Sequence, residues 1–457
     1  MAAPDDLRKM STQIFTEENS YSLAHQELQE EPGRVASWVK RLRDEAFESF
    51  AHSGFPTTEQ EEWKYTNVVQ IAKAKFEPFI KSDADEGITQ KQIAPFIYEE
   101  ANSSRLVFIN GIFNERLSSL ESLPGETVAV DLARALTESE QAEIVREYLA
   151  RSADVDGNPF TALNTAFLSG GAFLFFPAGV VVENPIHLLF ISSAENSRFA
   201  SFPRVLIVAG RGSSATVIES YASLKQGEYF TDAVVEVVIE DDARIEHYKV
   251  QNESEKAFHV ARTIAELGRN SSYNSTVITL GARLSRHDIS VNFNHEGAEC
   301  WVDGLYIVED GQHTDTHSVI DHKLPHCTSR QLYKGILNGK SRAVFNGKVF
   351  VRQGAQGTDA MQTNRNLMLS NDARVDTKPQ LEIFADDVKC AHGATVGQLE
   401  EEELFYLVSR GLHTELARNL LTYGFAEEVV EKIKIDSIKA QLDEAVLNRL
   451  HARLEAQ

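Results

Sequence analysis

The sequence predicts a mainly β protein that carries helical segments at both ends. Most segments between Leu106 and Val396 alternate apolar and polar residues with a period near two, as around Ile289, Val291 and Phe293, and this alternation is typical of strands. Asp-Gly and Asn-Gly pairs, which favour tight turns, recur between these segments. Apolar residues spaced as on one face of a helix occur mainly before and after these strand-like segments. The turn pairs are Asp156-Gly157, Asp303-Gly304, Asp310-Gly311, Asn338-Gly339 and Asn346-Gly347.

Both ends of the chain have helical periodicity. Apolar residues from Val35 to Phe50 fall on one face of a helix, and residues 1–105 are predicted to form a mostly helical domain. Residues 397–457 are predicted to form a second helical domain, in which Gly411 and Gly424 end helices. The β core between them is predicted to span 106–396, with one helical stretch from 132 to 149.

The long array of short strands leaves three architectures open, namely a sandwich, a barrel and a β-solenoid. The array is too long for one sandwich of typical size, whereas a solenoid grows by stacking turns. Because helices do not intervene between most strands, a Rossmann-type or TIM-barrel arrangement is disfavoured. The sequence has no strict repeat length that would decide among the three.

The charge and the cysteine content argue against several classes of function. A net charge of −23 over 457 residues, without a stripe of Lys and Arg, argues against nucleic acid and against an anionic membrane surface as partners. The cysteines Cys300, Cys327 and Cys390 lack the spacing of a zinc ribbon or a disulfide framework and suit a reducing cytosol. Residues 1–13 lack the apolar core of a signal peptide. These properties predict a soluble, cytoplasmic protein.

One near-match to a nucleotide-binding motif is interpreted as a turn. Phosphate-binding loops read GxxxxGK[ST] ahead of a helix, whereas residues 335–341 (GILNGKS) have one spacer residue too few and lie between predicted strands. The sequence also contains neither the GxSxG nucleophile elbow nor the HExxH zinc motif. The chain therefore does not look like a nucleotide hydrolase, and no catalytic residue is predicted.

One cluster of imidazoles and a carboxylate has the composition of a metal site. On an extended strand His313, Asp315 and His317 would point to one face, and this set of donors suits zinc or ferrous iron. One interpretation is a stand-alone metal-binding enzyme built on a β-solenoid. The other is a polar strand face whose imidazoles make hydrogen bonds to neighbouring turns of the chain.

A second pair of residues has the chemistry of iron and iron–sulfur cluster ligands. Cys390 and His392 lie two positions apart, so on a strand both side chains project to the same side. One pair fills only two coordination positions, and the remaining ligands would come most simply from another chain. The alternative is a buried thiol beside a structural histidine.

Several long motifs resemble those of the SufB/SufD family of iron–sulfur cluster assembly proteins. The resemblance covers roughly residues 280–430. The motifs are 317–337 (HSVIDHKLPHCTSRQLYKGIL), 345–351 (FNGKVFV), 362–370 (QTNRNLMLS), 378–397 (KPQLEIFADDVKCAHGATVG), 405–411 (FYLVSRG) and 417–425 (ARNLLTYGF).

Within that family the chain is similar to the SufD branch. Residues 61–67 (EEWKYTN) and 389–397 (KCAHGATVG) have the SufD form. SufB-like chains carry glutamates at the positions of Ala391 and Gly393, and they use a cysteine near 363–366 that this chain lacks. The difference favours a supporting subunit over one that builds clusters independently.

The resemblance implies a right-handed parallel β-helix with helical domains at both ends, in a scaffold subunit and not an enzyme. Cys390 and His392 match positions at the interface with SufB, where the nascent cluster forms. The implied cargo is a transient cluster or iron shared with SufB, with no cofactor permanently bound. The C-terminal helical domain is expected to dock the ATPase SufC, and the chain is expected to be able to form a homodimer in isolation. The docking residues would be Phe405, Tyr406, Arg410, Gly411, Arg418, Leu421 and Phe425.

Overall fold

Two parallel β-sheets that wind around a common core form the centre of the protein. The computed structural model describes residues 20–30, 35–80, 87–121, 123–137, 139–195 and 198–455. Most strands pair in parallel with the strand two further along the chain, which gives a β-solenoid of about 8 turns. The predicted solenoid is confirmed, and the sandwich and barrel alternatives are wrong. Residues 1–13, which carried the prediction about a signal peptide, lie outside the described residues.

The strands alternate between the two sheets. From β9 onward, odd-numbered strands lie in sheet A and even-numbered strands in sheet B. In chain order the strands are β1 (Glu77–Pro78), β2 (Ser104–Ile109), β3 (Ile112–Phe113), β4 (Ser119–Leu120), β5 (Val128–Asp131), β6 (Gly171–Phe176), β7 (Ile186–Ser192), β8 (Phe199–Ser201), β9 (Arg204–Ala209), β10 (Ser214–Ser223), β11 (Phe230–Ile239), β12 (Arg244–Asn252), β13 (Phe258–Leu267), β14 (Ser272–Thr279), β15 (Leu284–Phe293), β16 (Glu299–Val308), β17 (His313–His322), β18 (Thr328–Leu337), β19 (Arg342–Val351), β20 (Thr358–Met368), β21 (Arg374–Ile383) and β22 (Val388–Gly397).

Residues in register on successive turns form columns inside the solenoid. One such column in sheet B contains Tyr273, Cys300, Ser329 and Ala360, each on the next even-numbered strand. All four are buried. Because side chains alternate along a strand, the residue before and the residue after each of these four point to the outer face of the sheet. The next member of this column, at the last strand, is Cys390.

The two ends of the solenoid differ. At the first end antiparallel strands terminate the sheets, since β3 pairs with β2 and β5 pairs with β6, and the half-buried Phe113 and Leu123 pack against the core. At the last end β21 and β22 each have a neighbouring strand on one side only within the described chain. Most residues of these two strands are exposed or only partly buried. We call β21 and β22 together the open rung.

Helices cover the outer faces of both sheets. The helix pair α2 (Ser37–Ser53) and α7 (Pro159–Ala166) packs beside sheet A. At sheet B, the apolar outer residues Ile278 and Ile307 pack against Val429 and Ile438 of the C-terminal helices. The helices are α1 (Ser20–Glu30), α2 (Ser37–Ser53), α3 (Val69–Ala74), α4 (Gln90–Ile93), α5 (Leu132–Ala135), α6 (Ser139–Tyr148), α7 (Pro159–Ala166), α8 (Glu401–Ser409), α9 (Thr414–Val430) and α10 (Asp436–Glu455).

Within the described residues the predicted helical segments are confirmed except at one glycine, and the mostly helical character of residues 1–105 as a whole stays a prediction. The predicted helices near 35–50 and 132–149 correspond to α2 and to the pair α5 and α6, and α8 ends just before Gly411, whose φ is 96°. Gly424 does not end a helix, because α9 continues to Val430 and buries Ala426 and Val429. The domain boundaries at 105/106 and 396/397 stay predictions.

Two predicted turns are wrong, because Gly304 and Gly347 lie inside β16 and β19. A Cβ atom at Gly304 would lie 2.3 Å from Cε1 of Tyr333, and one at Gly347 would lie 2.4 Å from Nε2 of Gln362. Each glycine therefore leaves space for a large side chain inside the solenoid. The pairs at 156–157, 310–311 and 338–339 lie outside strands, as predicted.

Candidate functional site

Cys390 and His392 lie on the last strand of the solenoid, within the open rung. Cys390 pairs in register with Ala360 and His392 pairs with Gln362 of the preceding turn. The half-buried Cys390 packs against the main apolar core, whereas His392 is exposed. Since the two residues are two positions apart on a strand, both belong to the columns that line the inside of the solenoid. The prediction that they share a strand face is confirmed by the strand that contains them.

The surroundings of Cys390 disfavour the thiolate form of its side chain. Burial raises the pKa of Cys390 above its ordinary value, and the carboxylate of Asp359 adds to this increase. Because the thiolate is the form that binds metals and acts as a nucleophile, this cysteine needs a nearby cation to become a ligand. Within the described part of the chain, no three His, Cys, Asp or Glu side chains are grouped to hold a metal ion.

A layer of buried carboxamides lies directly beneath the open rung. We call Gln331, Gln362, Asn364 and Asn366 the carboxamide layer; each is at most 3 % exposed. Nε2 of Gln362 donates to Oε1 of Gln331 at 2.5 Å, and Nδ2 of Asn366 donates to Oδ1 of Asn364 at 2.6 Å. Sequence analysis missed these residues, although Gln-x-Asn-x-Asn at 362–366 has the period of a strand with one polar face.

The predicted metal cluster is engaged by the N-terminal region of the chain. His313, Asp315 and His317 share one face of β17, as predicted. The hydroxyl of Thr66 donates to Oδ2 of Asp315 at 2.5 Å and lies 2.8 Å from Nε2 of His313. Nδ1 of His317 lies 3.1 Å from Oε2 of Glu62. These contacts favour the interpretation as a polar strand face. They differ from the predicted ones, because His317 contacts Asp315 of its own strand and both imidazoles contact residues 61–66, which we call the strap, where bonds to neighbouring turns were predicted.

Arg286 joins the strap to the solenoid. Its guanidinium lies 3.7 Å from the ring centre of Trp63, and Nη1 donates to the backbone oxygen of Glu62 at 2.7 Å. The same Nη1 contacts Oδ2 of Asp315 at 2.9 Å. Burial alone would raise the pKa of the Asp315 carboxyl, but His317 and Arg286 hold it well below its usual range.

His317 carries a proton at neutral pH. Burial lowers the pKa of its imidazole, but the charge of Asp315 and the hydrogen bonds of Asp315 and Glu62 together outweigh burial and raise the pKa from 6.5 to about 9. Nε2 of His317 lies 3.1 Å from Oδ1 of Asp315, which gives this interaction its geometry.

Raising the pH from 7 to 10 should weaken the attachment of the strap. Because the folded-state pKa of His317 exceeds its ordinary value, the stabilisation is fully present below about pH 6.5 and is lost as the pH rises through 9. The loss should be on the order of 2 kcal/mol in the free energy of unfolding. Denaturant unfolding at several pH values measures it, with His317→Asn as the control that lacks this step. An equal pH dependence of both proteins would contradict the prediction.

The predicted docking residues lie on and after α8 and on α9. Phe405 and Tyr406 are 74 % and 56 % exposed, and the guanidinium of Arg410 stacks 5.1 Å from the ring centre of Tyr406. Leu416 and Leu420 of α9 are also exposed, at 43 % and 47 %, and were not predicted as docking residues. Gly411 is exposed, whereas Arg418, Leu421 and Phe425 are partly buried.

Phe425 has a different environment from the other predicted docking residues. Its ring lies 4.6 Å from Nζ of Lys334, and its backbone oxygen accepts a hydrogen bond from the same ammonium group at 2.9 Å. Beside it, a groove of about 490 Å³ runs between α9 and the end of β22, lined among others by Val396, Gly397 and Leu420. Phe425 therefore fixes α9 to sheet B.

Among the described helices, none has the length and apolar character needed to span a membrane.

Comparison with known proteins identifies the family. Residues 190–425 match the family model described as SUF system FeS cluster assembly, SufBD core domain, and residues 16–188 match the SufBD protein N-terminal region. An iron–sulfur cluster assembly SufBD family protein of Synechocystis is 37 % identical over 86 % of this chain and 86 % of its own length. The iron–sulfur cluster assembly protein SufD of Escherichia coli is 33 % identical over 88 % of this chain and 90 % of its own length, and the SufD of Bacillus subtilis is 30 % identical over 93 % and 94 %. Because family models match residues 16–188 and 190–425, and because relatives of 30 % identity or more cover most of the chain, the protein belongs to the SufBD family of iron–sulfur cluster assembly proteins.

Proposed function

We propose that this protein is the scaffold subunit that pairs with SufB through the open rung and contributes Cys390 and His392 to the place where the cluster is built. The observation that carries the proposal is a thiol–imidazole pair on a strand with an unpaired edge. β22 has β20 as its neighbour on one side only within the described chain. An unpaired strand edge is a template for another chain, so a partner that binds there would bring its own side chains next to this pair.

The count of ligands supports a shared site. Most iron–sulfur clusters are held by four protein side chains, and Cys390 and His392 supply two. The neutral thiol of Cys390 would ionise only beside iron or a cationic group brought by the partner. The cluster or iron is then cargo held between two chains, and no cofactor is permanently bound to this one.

We assign the docking of the SufC ATPase to α8 and α9. Phe405 and Tyr406 are large apolar residues that the fold leaves exposed, and such residues anchor protein interfaces when they are covered by a partner. The sequence has no phosphate-binding loop of its own, so ATP chemistry would belong to SufC. The groove beside Leu420 and Val396 brings this surface next to the open rung, so that movement of a docked ATPase would act directly on β22.

The same features suggest where the protein works and how it behaves alone. All three cysteines are free, with two of them buried, which suits a reducing cytoplasm. The open rung would also accept the open rung of a second copy when SufB is absent, which gives a homodimer.

Co-expression with SufB and SufC tests the proposed function. The wild-type chain should co-purify with both partners, and the complex should assemble a cluster under anaerobic conditions that is visible in its absorption spectrum. His392→Ala should leave all three chains together and lower the yield of cluster at least severalfold. The double variant Phe405→Ala, Tyr406→Ala should lose SufC and retain SufB, because it changes only the exposed anchors on α8.

His295→Ala provides the matched control, since His295 is also an exposed histidine and lies outside the open rung. It should change neither the complex nor the yield of cluster. If the wild-type chain purifies without either partner, the proposal is wrong. If His392→Ala assembles as much cluster as the wild type, the assignment of that side chain is wrong.

A further inference from the structure

The inside of the solenoid contains a short glutamine ladder that ends at His392. Gln331, Gln362 and His392 are in register on β18, β20 and β22, one turn apart from each other. Both glutamines are buried, with 3 % and 1 % of their surface exposed. Nε2 of Gln362 donates to Oε1 of Gln331 at 2.5 Å. Stacked amides of this kind bond from strand to strand along a sheet.

The ladder leaves one acceptor without a partner at its upper end. Oε1 of Gln362 is buried and has no hydrogen-bond partner among the described residues, and the same is true of Nε2 of Gln331 at the lower end. The amide nitrogen of Gln362 donates to the preceding turn, away from the open rung. Its oxygen, Oε1, is therefore the atom left to bond with the next turn. Buried polar atoms in folded proteins nearly always have a partner, and the residue one turn above Gln362 is His392.

The glycine opposite keeps the side chain of Gln362 inside the solenoid. A Cβ atom at Gly347 in sheet A would lie 2.4 Å from Nε2 and 2.7 Å from Cδ of Gln362. A larger residue at 347 would therefore displace the amide from its column. The sequence provides both the amide and the space for it.

We propose that Gln362 is a positioning residue for His392: the exposed imidazole, which makes no hydrogen bond to Gln362 in this structure, turns about its side-chain torsions so that Oε1 accepts the proton of one ring nitrogen and the lone pair of the other nitrogen faces out of the open rung. Histidines that bind metals almost always donate their second ring N–H to such an acceptor, which fixes the tautomer and the orientation of the ring. The inference rests on the proposed function in one respect, namely that His392 binds iron or a cluster. The hydrogen bond itself needs neither SufB nor iron.

The tautomer of His392 tests the proposal in the full chain without partner or metal. Histidine-selective ¹⁵N labelling gives the ratio of the two neutral tautomers from long-range ¹H–¹⁵N spectra at pH 8.5, and the signal of His392 is assigned by its loss in His392→Gln. One tautomer should dominate in the wild type. Gln362→Met keeps the volume of the side chain and removes the acceptor, so the ratio should fall about two- to tenfold, as expected for the loss of one ordinary hydrogen bond.

Two further variants separate positioning from a merely structural role. Asn366→Leu changes a residue of the same strand, the same face and similar burial that pairs with Val396 and not with His392, and it should leave the ratio unchanged. Gln362→Glu retains an acceptor oxygen and should restore one dominant tautomer. A wild-type ratio that persists in Gln362→Met would overturn the proposal.

The wild type alone decides the question if the variants do not fold. The exposed His295 is an internal reference in the same spectrum. If His392 has the same tautomer ratio as His295, Gln362 does not hold its ring and the inference is wrong. Failure to co-purify with SufB would instead overturn the proposed function and would leave this measurement unaffected.

Discussion

Lys249→Met should lower the free energy of unfolding by about 3–5 kcal/mol, because it leaves a buried carboxylate without its cation. The side chains of Lys249 and Glu219 are 2 % and 0 % exposed, and Nζ lies 2.8 Å from Oε1. The ammonium also lies 3.9 Å from the ring centre of Tyr221. Burial alone would raise the pKa of Glu219, but Lys249 and His247 hold it well below its usual range. Methionine keeps the apolar part of the side chain, so the loss measures the charge.

Denaturant unfolding at pH 7 checks this expectation. The double variant Glu219→Leu, Lys249→Met removes both charges and should recover most of the lost stability, since an apolar pair of similar volume is often as stable as a buried ion pair. Lys225→Met is the surface control: its Nζ lies 3.5 Å from Oε1 of Glu195, both side chains are at least half exposed, and the change should cost less than about 1 kcal/mol. Equal stabilities of the single and double variants would contradict the prediction.

Arg286→Leu should cost about 3 kcal/mol and release the strap from sheet A. The variant removes the cation that lies over Trp63 and takes from the buried Asp315 its guanidinium partner, while the contacts of Asp315 with His317 and Thr66 remain. It also removes the donor to the backbone oxygen of Glu62. The expected result is a lower unfolding midpoint together with a locally loosened segment.

Hydrogen exchange locates this effect. The amides of Trp63 and Thr66 donate to the backbone oxygens of Gln60 and Trp63, and both should exchange faster in Arg286→Leu. Arg269→Leu breaks a half-exposed ion pair with Glu296 in the loops between strands of the solenoid and should cost less than about 1 kcal/mol. Unchanged exchange at these amides in Arg286→Leu would show that Arg286 does not hold the strap.

The alternation of apolar and polar residues correctly predicted that these segments are strands. It could not predict which face of each strand lies inside the solenoid. At β14 the apolar Ile278 lies on the outer face and packs under the C-terminal helices, whereas Tyr273 of the same strand points into the core of the solenoid. The number of residues per turn varies, since Phe258 pairs with Leu284 whereas Arg342 pairs with the more distant Arg374. A varying repeat has no fixed period, so a solenoid could not be distinguished from a sandwich by pattern alone.

In the candidate site, features that depend on neighbouring residues could be predicted from the sequence, whereas contacts between residues far apart in sequence could not. The pair Cys390 and His392 was predictable because two residues on one strand share a face. The contacts of Thr66 with Asp315 were not, since they join residues far apart in sequence. Gly347 was interpreted as a turn because Asn-Gly is a turn signal; only the side chain of Gln362, which comes from the other sheet, explains the glycine.

The two ends of the solenoid offer different edges for stacking a second chain. The sheets end at the first end in the antiparallel strands β3 and β5, of two and four residues, and at the last end in the ten-residue strands β21 and β22. Two chains that met through their last ends would cover each other's long edges, so strand-by-strand stacking through that end would stop at a pair and would not continue into a filament.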